Sequence, residues 1–208
     1  MHGGNGDDNS QSIAGDPKLS YDSYLRVPEL LDLQSPESDP PAHDELLFIT
    51  IHQAYELWFN QVIYELESVR DQFRNEDLYE ADRLLERVIS IEDLLVDQIH
   101  ILETMRPRDF LAFRKALEPA SGFQSTQFRE VEFLSGVKRP EVLKYTELTD
   151  EQEDRMRRRL DEPSLRPEFY RLLRQRGYDV HIPDDAGVTP EDATDELADS
   201  SSAQASLS

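Results

Sequence analysis

HDELLFITIHQAYELWFNQVIYELESVR, from His43 to Arg70, sets the fold class, because its apolar residues recur in steps of three and four. Phe48, Ile51, Tyr55, Trp58, Val62, Leu66 and Val69, with Phe73 just beyond, fall on one face of a long helix. The helix is expected to start around Ala42 to Glu45, where Asp44 and Glu45 put acids at the positive end of the dipole. Asn75 to Asp77 reads as the turn out of it. A second helix is predicted from about Leu78 to Met105, with Ala81, Leu84, Leu85, Val88, Ile91, Leu95, Ile99 and Leu102 inward. So tight a link makes the two antiparallel neighbours.

Outward from this pair the pattern stays helical. Pro107 suits the first turn of a third helix that stops before Pro119, and Ser121-Gly122 reads as a turn into a further helical stretch ending near Leu134. The charged segments Glu147 to Leu160 and Glu168 to Arg176 read as helices with a solvated face. Before the first long helix, Pro36, Pro40 and Pro41 make a stiff linker, preceded by a short amphipathic arm, Tyr21 to Leu33, interrupted at Pro28. No strand pattern of useful length occurs. The expected fold class is all-α, a helical bundle of long antiparallel helices with a short N-terminal helical arm. The expected organisation is a disordered N-terminus over 1–17, one helical domain over 18–182 and an acidic disordered tail over 183–208, since both ends carry little apolar mass.

Composition narrows the function. The chain has 208 residues, with 44 acidic against 22 basic, for a formal net charge of -22. That charge repels phosphate backbones and anionic membranes, so neither nucleic acid nor membrane is an expected partner. The tail contributes, because beyond Tyr178 there are acidic residues and no Lys or Arg; adaptation to a salt-rich cytoplasm is the other reading of the acidity. There is no cysteine, which removes disulfides, thiolate metal sites and cysteine nucleophiles. No apolar run approaches the roughly 20 residues of a membrane span, and MHGGNGDDNSQS lacks the parts of a signal peptide, so a cytoplasmic location is expected.

Two clusters carry candidate chemistry. Phe48, His52 and Glu56 lie four apart and share one strip of the first long helix. Phe110 and Arg114 lie one turn apart in FLAFRKALEPASGFQSTQFR, from Phe110 to Arg129. Together they suggest a site for a flat, anionic ligand. Each has a plainer reading: His52 as a core histidine bonded to a carbonyl or carboxylate, Phe48 and Tyr55 as packing, Arg114 in an ion pair with Glu56, Glu65 or Glu118. Ser121, Gly122 and Ser125 read as a helix stop and a new cap, although glycine also lets a ligand approach the backbone. The paired Glu-x-x-His motifs of a di-iron bundle are missing, because His100 and Glu103 have the reverse order and no second copy. A metal site built from protein side chains alone is therefore not expected, and no Gly-rich phosphate loop or serine nucleophile elbow is present.

Four stretches, YDSYLRVPELLDLQ, HDELLFITIHQAYELWF, LETMRPRDFLAFRKALEPASGFQSTQFREVE and more weakly EPSLRPEFYRLL, resemble the tryptophan 2,3-dioxygenase family and appear in that family's order. The resemblance covers about Tyr21 to Ile182. It implies a haem-dependent dioxygenase that cleaves the indole ring of L-tryptophan with dioxygen to give N-formyl-L-kynurenine, the entry to the kynurenine pathway. By the same resemblance, His52 is the candidate catalytic residue, on the distal side of the haem and hydrogen-bonded to the indole N–H. Phe48 and Phe110 flank the indole, Arg114 clamps the substrate carboxylate, and Ser121 lies close to haem and substrate. Tyr21, Tyr24 and Leu25 match an N-terminal segment that reaches into a neighbouring subunit, which implies a homotetramer.

The chain also departs from the family. The family's proximal haem histidine and a Gly-Thr-Gly-Gly-Ser-Ser-Gly loop have no counterpart in these residues, and His100 and His181 do not match the position of that histidine. Asn60 stands where the family usually has lysine. The metal ligand is thus unassigned, and a truncated dioxygenase sequence is the expectation. The alternative is a non-catalytic helical interaction subunit, or a paralogue, that lacks haem.

Overall fold

The computed structural model describes residues 19–144 and 148–181. The segments expected to be disordered, 1–17 and 183–208, lie outside them. Among the described residues every regular element is helical, as the periodicity predicts. The chain divides into two compact units, one ending at Ser35 and one beginning at Pro36.

The N-terminal unit holds α1 (Tyr21–Leu25) and α2 (Val27–Leu31). Ser20 caps α1 through a reciprocal pair with Ser23. The break in the arm is at Arg26, whose backbone is left-handed at φ 53 and ψ 44. Pro28 lies in the first turn of α2, where its missing N–H costs nothing. Neither helix buries a residue, so Tyr21, Tyr24 and Leu25 are exposed.

The second unit is built on α3 (Glu45–Asn75) and α4 (Leu78–Leu102). Glu76 turns the chain at φ 60, and the Asp77 carboxylate accepts the Glu80 N–H at 3.1 Å to start α4. Their packing shows the antiparallel register. Val62, Ile63 and Leu66 meet Val88, Ile91 and Leu95, while further along α3 Val69 and Phe73 meet Ala81 and Leu84. Leu95 is the last buried position on α4: Ile99, predicted inward, is exposed beside an open groove walled by Tyr55, Phe59 and Phe128. Glu45 does more than answer the helix dipole. Its buried carboxylate accepts the Glu37 N–H at 2.7 Å, the Ser38 N–H at 3.2 Å and the Ser38 hydroxyl, which ties the proline-rich linker to the start of α3.

Four further helices follow: α5 (Pro107–Arg114), α6 (Thr126–Ser135), α7 (Asp150–Asp161) and α8 (Leu165–Gln175). Helix α5 ends sooner than its proline boundary suggested, because Pro119 disfavours helical geometry at Glu118 and the intervening residues relax into turns. Phe133 and Leu134 of α6, Met156 of α7 and Leu172 of α8 are fully buried or nearly so. No helix among the described residues is long and apolar enough to cross a membrane.

The charges of α7 and α8 are not merely a solvated face. Arg159 bonds Glu130 at 3.1 Å and Glu67 at 2.5 Å, Arg70 bonds Glu162 at 2.9 Å, and Glu168 accepts from Arg74 at 2.7 Å and Arg171 at 2.8 Å. Burial alone would raise the Glu168 carboxyl, but its two guanidinium partners outweigh it and hold the group below its ordinary value. A depressed folded value stabilises the fold above the ordinary carboxylate range, near pH 4.3, and that contribution disappears as pH falls through the folded value. The urea midpoint should therefore drop on acidification below about pH 4.3, and Glu168→Gln should flatten the drop while costing about 1–3 kcal/mol at neutral pH.

Candidate functional site

The site begins with a local hydrogen bond on α3. His52 Nδ1 lies 2.7 Å from the carbonyl oxygen of Phe48, one turn earlier. A carbonyl can only accept, so Nδ1 carries a proton, and the uncharged form of the ring would leave an acceptor lone pair on Nε2. The same spacing stacks the rings of Phe48 and His52 with centroids 4.0 Å apart. Helix α5 then brings up Phe110, 5.9 Å from Phe48, and Phe113, 5.5 Å from both rings. Phe113 has no exposed surface and is the anchor that seats α5 on α3.

Arg114 follows Phe113 and leans into an apolar hollow of about 460 Å³ walled by Phe48, His52, Phe110, Leu117 and Ser121. Its Nη1 is buried and has no hydrogen-bond partner among the described residues. The internal ion pairs left open by the sequence are not made. Glu65 is taken by Arg87 at 2.7 Å, and Glu56 accepts from the Gln127 amide at 2.8 Å. A buried guanidinium nitrogen without a partner is costly, and an anion entering this hollow, a carboxylate above all, would relieve that cost. The structure thus brings Phe48, His52, Phe110, Arg114 and Ser121 to one hollow. Tyr21, Tyr24 and Leu25 lie on α1, in the N-terminal unit.

A second hollow, of about 670 Å³, shares His52, Ser121 and Gly122 with the first. Tyr55, Phe59 and Phe128 give it aromatic walls, and Glu56, Arg129, Glu132 and Arg139 give it a charged edge. A Cβ placed on Gly122 would meet nothing within 4 Å, so this backbone is open to an approaching group. Ser125 caps α6 by accepting the Phe128 N–H at 3.1 Å, which sets where Phe128 and Arg129 emerge. Arg129 and Arg139 both pair with the one carboxylate of Glu132, and each keeps a buried Nε with no partner among the described residues. Aromatic walls with surplus cationic donors at one edge fit a flat apolar ring system carrying carboxylate arms.

Sequence reading missed this second wall. Tyr55 and Phe59 stand one turn apart, and Phe128-Arg129 lies within a stretch already singled out, but nothing in the spacing said that these faces meet. Among the described residues no cluster of three or more His, Cys, Asp or Glu could hold a metal ion. His100 bonds Glu103 on the exposed surface of α4, and neither it nor His181 lines either hollow.

Comparison with known proteins identifies the family. The family model described as Tryptophan 2,3-dioxygenase matches residues 5–200. A tryptophan 2,3-dioxygenase of Nocardioides sp. is 53% identical over 166 residues, covering 77% of this chain and 62% of the relative. One of Herpetosiphon aurantiacus is 48% identical over 162 residues, covering 78% and 62%, and one of Aedes aegypti is 47% identical over 152 residues, covering 69% and 39%. The chain therefore spans less than two thirds of the length of these relatives. With a family match that runs through both hollows and the helices that build them, the chain belongs to the tryptophan 2,3-dioxygenase family.

Proposed function

We propose that this chain carries the distal half of a haem-dependent tryptophan 2,3-dioxygenase, the site at which the indole ring of L-tryptophan is opened by dioxygen to N-formyl-L-kynurenine. The observation that carries this reading is the unpartnered Arg114 Nη1 in an apolar hollow shared with His52, Phe48 and Phe110. An amino-acid carboxylate satisfies Arg114, while the indole lies among Phe48, Phe110 and Leu117. His52, in its uncharged form, accepts the indole N–H at Nε2 and turns the ring to one orientation. Two fixed ends and a flat slot position the reacting carbons and keep water out.

The second hollow is assigned to the haem. Tyr55, Phe59 and Phe128 would wall the macrocycle, with Arg129 and Arg139 toward its carboxylate arms and Ser121 between cofactor and substrate. When bound, haem supplies the iron chemistry that activates dioxygen; the protein orients the substrate and excludes solvent. Apart from His52, which is assigned to the substrate, no histidine among the described residues lines either hollow. The exposed aromatic residues of α1, Tyr21 and Tyr24, with Leu25, are assigned to a contact with another copy in a homotetramer, and the location is cytoplasmic.

The test is a hemin titration of the 208-residue chain followed by its visible spectrum. A saturable complex whose Soret band responds to L-tryptophan, but not to tryptamine, which lacks the carboxylate, is the expected result. Equal responses to the two would remove the Arg114 clamp, and no hemin uptake would remove the cofactor assignment for this chain. His52→Ala should weaken the tryptophan response while costing no more than about 1.5 kcal/mol of stability, since it breaks one neutral, local hydrogen bond. A loss of several kcal/mol would instead make His52 a core residue.

A further inference from the structure

We infer that Gln127 is a positioning residue that holds the two walls of the larger hollow at a fixed separation, through Glu56. Its amide nitrogen donates to the Glu56 backbone carbonyl at 2.9 Å and to the Glu56 carboxylate at 2.8 Å, across 71 residues of sequence. An amide nitrogen has two hydrogens, and both are directed at one residue, so the clip constrains orientation as well as distance. The carboxylate contact is charge-assisted and so among the stronger hydrogen bonds.

Glu56 lines the larger hollow, and Gln127 adjoins two of its lining residues. Glu56 follows Tyr55 on α3 and stands one turn past His52, and Gln127 immediately precedes Phe128 and Arg129 on α6. The large apolar anchors of α6, Phe133 and Leu134, are at the far end of the helix. The near half is also held by buried Thr126 and Glu130 and by the Phe59–Phe128 ring contact at 5.5 Å, so losing the clip loosens the start of α6 more than its docked far end. The clip has an electrostatic consequence too. Glu56, Arg129 and Arg139 line the same hollow, and the two arginines already share Glu132. Held by Gln127, the Glu56 carboxylate does not swing across to quench the donors that an incoming anion needs.

This inference rests on reading the larger hollow as the haem site, and two measurements keep the claims separate. Gln127→Met preserves the side-chain length and removes both donors. In the apo chain, amide hydrogen exchange of Phe128 to Val131 should accelerate about tenfold or more while Phe133 and Leu134 are unchanged, the size expected for a charge-assisted hydrogen bond. Hemin affinity should fall by about the same factor or more. Unchanged exchange, or acceleration spread evenly over α6, would overturn the positioning role, as would hemin affinity equal to wild type. If the wild-type chain takes up no hemin, the cofactor reading falls, and exchange at Phe128 to Val131 alone decides whether Gln127 holds the wall.

Discussion

Arg114→Ala is expected to cost about 2–5 kcal/mol of tryptophan affinity, roughly thirtyfold to several thousandfold, with little loss of fold stability. The size follows from what the guanidinium would do when the hollow is filled: a buried cation meeting a carboxylate in two-pronged geometry, with no apolar substitute. The small effect on stability follows from what it does when the hollow is empty. Its Nη1 has no partner among the described residues, so truncation breaks no internal ion pair and removes a desolvated donor. Calorimetric titration of the hemin-loaded chain with L-tryptophan, beside thermal melts of both proteins, reads the two quantities. Tryptophan affinity equal to wild type would refute the clamp. A large drop in melting temperature would return Arg114 to the internal role that the sequence also allowed.

Phe113→Ala should show the opposite profile, a loss of about 3–5 kcal/mol of stability with binding lost as a consequence. Phe113 has no exposed surface and packs 5.5 Å from both Phe48 and Phe110. Removing it leaves a cavity at the joint between α5 and α3, and the rings on either side lose their stop. Because the neighbouring Arg114 rides on that joint, its reach into the hollow changes with it. Phe113→Leu, which refills much of the volume, should recover most of the stability and part of the binding. A chemical denaturation series across the three proteins, with hemin and tryptophan titrations of each, checks this. Stability of the alanine variant within about 1 kcal/mol of wild type would mean that α5 is held elsewhere.

The two predictions differ because adjacent residues of one short helix do different work, and only part of that division is readable without coordinates. The helical fold was plain from the three-and-four spacing along α3 and α4, since each position on a helix face is set by its near neighbours. The strip Phe48, His52, Glu56 and the pair Phe110, Arg114 were visible for the same reason. Where periodicity relied on a partner helix it erred at the margin, as at Ile99, which has the right phase but lies past the last packed turn.

Partner choice is where local pattern stopped. Sequence spacing left Arg114 to pair with Glu56, Glu65 or Glu118, and in a chain with 44 acidic residues any arginine has many nominal partners. Folding decided it by spending Glu65 on Arg87 and Glu56 on Gln127, far from it in sequence. The same holds for Glu45, which reads as an acid at a helix start and turns out to tie down the linker, and for the charges of α7 and α8, which read as solvated and instead pin α7 to α3 and α6 and α8 to α3. Hydrophobic period is a short-range property written into consecutive residues, so sequence yields the helices and the strips upon them. Which charge meets which, which lone pair is left over and where two walls enclose a space depend on segments brought together only by the tertiary fold.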